Sequence, residues 1–508
     1  MATQTEPRFY DETQDEHKLP SERYVVQTMP AQLGRFDMTA TYILVLFLIT
    51  NAVGGAAGGP VSLTYLIVGA LVFFLPCVVA VTQLGVMLPH EGSLYNWTTR
   101  ALNPFWGFFI AVCYWLTGVL AVVTAGSAFI TTLKSLNSSW LAEPWQQGLV
   151  ILALLCVAGF LGLQRMRLTQ NFVNIVFFVT LLAVALIGLA AVVWLVTGHA
   201  SQTNFFVPDG WSINQGNFFL FAIITLNYIG ASGPLNMAGE IRGSGKDPRQ
   251  VARIVRHHLL LGTPVVIILY TVVTLAVLIV RGSNALLTSA SPSFEAFTAV
   301  GKVFGTPVAE VAIICFLMYC IVAMAFYSYA SARLLFVAGV DGQLVSRFGR
   351  LNKARVPGFS MVFQLLATAI VVVFIYMLMP LVMVTFFGGT AANMSNEIYT
   401  VVSAACTLVW TIATFFFFVN VIALYRKDRA RFIRMRQFPL WLIWLSVLVG
   451  GIACVLTILG ILIYPWIGQI PASSWGYLVG GVAVALLVVA GVCSMFVNME
   501  ANWENFAR

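Results

Sequence analysis

The sequence predicts an all-α integral membrane protein of about twelve transmembrane helices, with two halves of opposite orientation in the bilayer. Three observations predict it: the composition, the distribution of basic residues, and a pair of matching glycine-rich interruptions. Of the 508 residues 60% are hydrophobic and 9% charged, too few charges for the surface of a soluble chain this long.

A helical span needs about 20 mostly apolar residues. Such runs extend from Met38 to Gly59, Val61 to Leu88, Phe105 to Thr132, Trp145 to Leu163, Leu168 to Thr197 and Asn217 to Ala238. Six more extend from Leu259 to Val280, Val308 to Leu335, Phe359 to Phe387, Ile398 to Leu424, Leu440 to Trp466 and Trp475 to Val497. With this layout, 24 of the 27 Lys and Arg fall on the side of the termini, and only Lys134, Arg281 and Lys302 on the other. The positive-inside rule then makes both termini cytoplasmic. It also assigns the net charge of +8 to basic loops beside an anionic leaflet, with no nucleic-acid partner.

Residues 1–36 are polar and acidic and read as a disordered cytoplasmic tail. Residues 37–498 read as one transmembrane domain, and 499–508 as a second cytoplasmic tail. The eight cysteines all fall inside spans without metal-ligand spacing, so they read as small core residues. The five histidines fall in loops or tails, which leaves none for a proton relay inside the membrane.

Span one contains Asn51-Ala-Val-Gly54-Gly55-Ala-Ala-Gly58-Gly59-Pro60, and span six contains Asn227-Tyr-Ile-Gly230-Ala-Ser232-Gly233-Pro234. Both begin Asn-x-x-Gly and end Gly-Pro, five spans apart, so the two halves are inverted. Paired interrupted segments of this kind mark the binding site of inverted-repeat transporters. The alternative is that the glycines are helix-packing positions. Unwound backbone is tolerated in a membrane only against protein or a watery cavity.

Here the sequence resembles the amino acid–polyamine–organocation superfamily. The residues that carry the resemblance are Asn51–Ala56, the loop Leu88-Pro89-His90-Glu91-Gly92-Ser93-Leu94-Tyr95, and Tyr228–Gly230 followed by Ala238-Gly239-Glu240 and Lys246-Asp247-Pro248-Arg249. Ser331-Ala-Arg333, Val340-Asp341-Gly342-Gln343-Leu344 and Arg355-Val356-Pro357 complete it. The resemblance implies the LeuT-like fold. Repeat one would occupy about residues 38–197 and repeat two about 217–424, with extra helices at 440–497. It implies a secondary active permease for a small amine-containing metabolite such as an amino acid, working by alternating access. It implies no enzyme activity and no cofactor beyond a coupling ion, Na+ or H+.

The substrate site is then expected at Asn51, Ala52, Val53, Gly54, Gly55 and Ala56, at Asn227, Tyr228, Ile229, Gly230, Ala231 and Ser232, and at Tyr114. Free amides near Gly54 to Ala57 suit a carboxylate, and carbonyls near Asn51, Ala52 and Tyr228 to Gly230 suit an ammonium. Tyr228 is a candidate aromatic gate, with Trp115 and Tyr327 behind it. Glu240 is expected to pair with Arg333 or Arg242 as an inner gate. Glu310 and Glu397 sit at outer span ends, Glu397 among Asn393, Ser395 and Asn396.

Two departures bear on mechanism. Ser232 stands where many family members carry an acid, and Gly54-Gly55-Ala56 replaces the usual Gly-Ser-Gly. No acid lies mid-span in spans one, three, six or eight, which favours a neutral or singly charged amino acid over a polyamine. Span five has no lysine to replace a coupling sodium. The oxygens of Ala52, Thr180, Ser328 and Ser331 therefore favour sodium over proton coupling or uncoupled exchange. No metal site other than for a coupling ion is expected.

The composition argues against a membrane enzyme, which needs acids, histidines or metal ligands at one depth. It also argues against a channel, which needs a filter repeat. A polyamine or other amine carrier, an exchanger and a transporter-like nutrient sensor stay open. The expected partners are a small substrate and the bilayer, with the chain acting as a monomer or homodimer.

Overall fold

The computed structural model describes residues 19–137, 139–288, 294–381, 391–466 and 470–506, with backbone alone at 287–288, 391–399 and 498–506. Among the described residues, eleven helices are long and apolar enough to cross a membrane, and a bent pair makes a twelfth span. Span one is that pair, Arg35–Leu46 and Ile49–Ala56, bent by 40°. Spans two to six are Val61–Met87, Pro104–Leu136, Pro144–Gly162, Met166–Val196 and Phe219–Glu240. Spans seven to twelve are Pro248–Val280, Thr306–Val340, Gly358–Leu381, Ala391–Lys427, Leu440–Ile463 and Ala472–Phe506. The chain is thus all-helical as expected, and its one extended pairing among the described residues is a single bridge between Leu33 and Ile241.

Span seven begins at Pro248, well before the Leu259 that hydropathy suggests. Asp247 caps it, its carboxylate accepting from the Gln250 amide at 3.0 Å, and Pro248 pre-sets the first turn. A helix therefore starts in a basic stretch that reads as loop. The extension carries His257 and His258, which are helical rather than in a loop. His258 is fully buried, its Nδ1 3.1 Å from the Ile254 carbonyl and its ring edge-on to Tyr42.

The N-terminal tail also needs correcting. Pro20–Thr28 is a helix packed on the core, with Ser21 and Glu22 buried. Polar composition hid it because its contacts are hydrogen bonds and ion pairs. Residues 1–18 lie outside the described residues.

Span eight is central, packing on spans three, four, five and nine. Small residues permit the close approach that drives packing in lipid. A Cβ at Gly118 of span three would lie 1.8 Å from Ser331 Oγ, and one at Gly262 of span seven 2.4 Å from the Tyr42 ring. Among the described residues all eight cysteines are free, six of them buried; Cys156 and Cys493 lie exposed on spans four and twelve.

Candidate functional site

In span six the outer helix Phe219–Tyr228 stops, Ile229 is extended, Gly230 takes φ +108°, and a 3-10 helix runs from Gly233 to Glu240. Only glycine adopts that φ without strain. A Cβ at Gly230 would also sit 3.3 Å from Trp410 of span ten and 3.7 Å from Val45 of span one. Ser232, fully buried, donates to the Tyr114 hydroxyl at 3.3 Å, and Tyr114 meets Trp410 edge to face at 6.0 Å. Spans one, three, six and ten therefore converge on the span-six break. Trp410 was missed in the sequence, where it is one aromatic among many.

In span one the break lies at Phe47 and Leu48, both extended, and not at the glycines. Asn51, Ala52, Val53, Gly54, Gly55 and Ala56 are all helical. The carbonyls left over by the inner half meet three tyrosine hydroxyls. Tyr319 donates to Leu44 at 2.9 Å, Tyr327 to Val45 at 2.6 Å and Tyr270 to Leu46 at 2.6 Å. The Leu48 amide donates back to the Tyr270 hydroxyl at 3.3 Å. The glycine run instead serves packing. A Cβ at Gly55 would touch Ile224 and Asn227 of span six, one at Gly58 would overlap Leu220, and Gly59, in the turn that leads into span two, takes φ +73°. Gly54 has nothing within 4 Å. The first amides of the outer half, Ile49 and Thr50, are the ones helix geometry leaves without an intrahelical acceptor. The anion-favouring end is thus a turn earlier than expected.

Asn227 is buried beside Gly55, and neither atom of its carboxamide has a partner among the described groups. Tyr228 points away from the break. It stacks on Phe74 at 4.8 Å, in a π-helical turn of span two, and donates to the Leu66 carbonyl at 3.2 Å. Tyr228 is therefore a packing residue and not a gate. The Trp115 ring stacks on Phe363 of span nine.

The four positions offered for a coupling ion have different surroundings. The Ala52 carbonyl accepts from Thr274 at 3.2 Å. Ser331 faces Gly118 of span three, while Thr180 and Ser328 are buried without hydrogen-bond partners among the described groups. The small cavity between spans one, five and eight is lined by Val173, not Thr180, together with Thr41, Leu44, Val45, Tyr319 and Tyr327. Glu310 is exposed, and the side chains of Asn393, Ser395, Asn396 and Glu397 lie outside those described.

On the N-terminal face two layers of ion pairs and hydrogen bonds join the packed elements. In the deeper layer Arg333 of span eight pairs with Glu240, and its Nε lies 3.3 Å from Glu91 Oε1. All three are fully buried or nearly so. Tyr329 donates to Glu240 at 3.2 Å and the Gly239 amide to Glu91 at 2.9 Å. The expected pair thus involves Arg333; Arg242 instead donates to the Gln32 carbonyl at 3.0 Å. Glu91, in the loop after span two, was not singled out because loop acids are usually solvated. In the outer layer Glu22 pairs with Arg100 at 2.6 Å and accepts from Asn96 at 3.0 Å, and Ser21 donates to Asp341 through its amide and hydroxyl at 2.7 and 2.9 Å. Backbone bonds from Gln32 and Leu33 to the Glu240 carbonyl tie the entry of span one to the exit of span six.

Residues 33–487 match the profile of the amino acid permease family. A putative histidine permease of Bacillus subtilis (strain 168) is 24% identical over 61% of this chain and 64% of its own length, so the match spans slightly less than two thirds of that relative. A polyamine transporter of Arabidopsis thaliana, RMV1, is 29% identical over 21% of this chain and 24% of its own. The crystal structure of a manganese transporter of Eremococcus coleocola, in complex with an aromatic bis-isothiourea compound, covers 94% of this chain and 95% of that one. Its TM-score is 0.52 at 13% identity, a likeness of fold.

Proposed function

Because the chain belongs to the amino acid permease family, whose members are transporters and not enzymes, we propose that it carries a neutral or singly charged amino acid across the cell membrane by alternating access. One observation carries this reading. The outer halves of spans one and six run in opposite directions and end at their breaks with opposite polarity. Span one presents helix N-terminal amides at Ile49 and Thr50, and span six presents a helix C-terminus at Tyr228. The first favours a carboxylate and the second an ammonium.

Ser232, Tyr114 and Trp410 around the span-six break are neutral, so a zwitterion's two charges are matched by helix ends. Several positive charges would have no carboxylate to meet there. Asn227, with an unpartnered carboxamide, is the side chain available to a bound polar group directly or through water. The basic-residue bias supports cytoplasmic termini, which makes the closed N-terminal face the cytoplasmic one.

The test is uptake of a panel of labelled amino acids and amines into proteoliposomes. Saturable uptake of an amino acid supports the reading. Binding without any transport would favour a nutrient sensor instead.

A further inference from the structure

The deeper gate layer places two carboxylates on one guanidinium. Glu91 and Glu240 approach Arg333 from different elements, and all three are removed from water. With both acids ionised the cluster carries one uncompensated negative charge. Two carboxylates sharing one buried counter-charge cannot both ionise cheaply, so one proton resides on the pair.

We propose that the Glu91–Arg333–Glu240 cluster is a proton-binding site that takes up one proton from the cytoplasm as that face closes and returns it as the face opens. This rests on the permease reading above.

The geometry gives both the site and the route. Glu91 is held by the Gly239 amide, and its loop is docked on the inner half of span six through Ser93 to Asn236 at 2.7 Å and the Gly92 amide to the Asn236 carbonyl at 3.1 Å. Arg333 belongs to span eight. Opening the face separates these elements, hydrates Glu91 and removes it from Glu240. Its neighbour His90 reaches the surface and lies 3.8 Å from Glu22, which marks the short way to cytoplasmic water. Burial first, opposed by Arg333 and reinforced by Glu240, pushes the Glu91 carboxyl up to about 8. The other titratable groups on the packed elements are Tyr329 on span eight, Glu22 and Tyr24 on the N-terminal helix, Arg100 and Tyr95 on the helix after the loop, and Asp341 beyond span eight. In the outer layer Glu22 is matched by Arg100 with His90 beside it, while Asp341 meets only Ser21 and Tyr95 and is raised by burial to about 6, so it titrates on the acid side of neutrality, apart from the deeper pair.

The sign follows. The closed state has the raised value and the open state the ordinary one. Between the two, each unit rise in cytoplasmic pH favours opening by up to about tenfold. Above the raised value and below the ordinary one the dependence vanishes.

The experiment is uptake by oriented proteoliposomes at fixed external pH with the cytoplasmic-side pH varied. Wild-type uptake should slow several-fold as that side is acidified from the alkaline side of neutrality, and Glu91→Gln should abolish the dependence while retaining transport. A Glu91→Gln protein that keeps the wild-type profile overturns the proposal. Should that variant fail to fold, infrared titration of the wild type is the second measurement. It should reveal one protonated-carboxyl C=O band that disappears in the mildly alkaline range, and its absence there refutes the proposal. If no amino acid is transported at all, the permease reading fails, while the infrared band still decides whether the proton is held.

Discussion

The Tyr327 hydroxyl donates to the Val45 carbonyl at 2.6 Å, two residues before span one loses its helical backbone. With Tyr270 and Tyr319 it satisfies the carbonyls that a hard cation would otherwise coordinate. Uptake should therefore be indifferent to replacing sodium by choline at fixed pH, contrary to the preference the oxygen inventory alone suggests. Sodium-stimulated uptake that is lost in Ser328→Ala would restore that first preference. Tyr327→Phe orphans a buried carbonyl and should lower unfolding stability by about 1–3 kcal/mol, measurable as a fall in Tm in detergent.

The glycines separate packing from function. Gly230 holds φ +108° against Trp410, so Gly230→Ala should impair transport and cost roughly 1 kcal/mol or more of stability. Gly54 and Gly481 have nothing within 4 Å, so an added Cβ meets no neighbour at either. Gly54→Leu should reduce uptake while expression and detergent-solubilised size stay normal, and Gly481→Leu should be silent. Gly159 of span four is by contrast a packing glycine, since a Cβ there would lie 2.6 Å from Leu365. Normal uptake by Gly54→Leu would remove that glycine from the site.

Substrate charge is tested at Ser232. Tyr114→Phe and Ser232→Ala each remove a partner of one hydrogen bond and should raise KM by about two- to tenfold, as expected for about 0.5–1.5 kcal/mol. Spermidine should compete more weakly than the best amino acid, because a polyamine's charges would be desolvated without partners. Spermidine outcompeting every standard amino acid would reject the neutral-site argument.

How much of this was legible beforehand depended on the kind of signal. Hydropathy and basic loops marked the spans because lipid allows few other solutions. The span-six break was legible because Gly230 needs a φ other residues avoid. The span-one break was not, because Phe47 and Leu48 are ordinary residues and the break depends on tyrosines more than 200 positions away. The same limit hid Glu91, whose meaning comes from Arg333 across the fold, and reversed Tyr228, whose ring packs on span two. A tyrosine pair spaced 319 and 327, two turns apart on one helix face, was the available hint that two hydroxyls required acceptors in the membrane.

Removing Arg333 should be worse than removing the whole cluster. Arg333→Met alone leaves Glu91 and Glu240 buried without a cation, a defect on the order of 3–5 kcal/mol. Adding Glu91→Gln and Glu240→Gln should recover much of the lost expression and thermal stability. A triple variant no better than Arg333→Met would mean that the charges are not what the gate opposes.

The N-terminal helix Pro20–Thr28 should behave as an acid-labile latch. Burial pushes the Glu22 carboxyl up, but His90, Arg100 and Asn96 outweigh it and hold the group below its ordinary value. A depressed carboxylate stabilises docking above its ordinary range, and that contribution disappears as pH falls through the depressed value. The Glu22 contribution should thus be complete at neutral pH and disappear in acid, while Asp341, raised by burial to about 6, opposes it on the way down, so the net weakening is expected only below the ordinary carboxylate range. Charge-assisted hydrogen bonds of this kind contribute about 1.5–3 kcal/mol, so Glu22→Gln should speed amide hydrogen exchange across Pro20–Thr28 by roughly tenfold or more at neutral pH. It should also expose Arg23, already on the surface of that helix, to faster tryptic cleavage. Unchanged exchange in Glu22→Gln would place the latch elsewhere, in the Ser21 to Asp341 bonds, and Ser21→Ala is the variant that then distinguishes them.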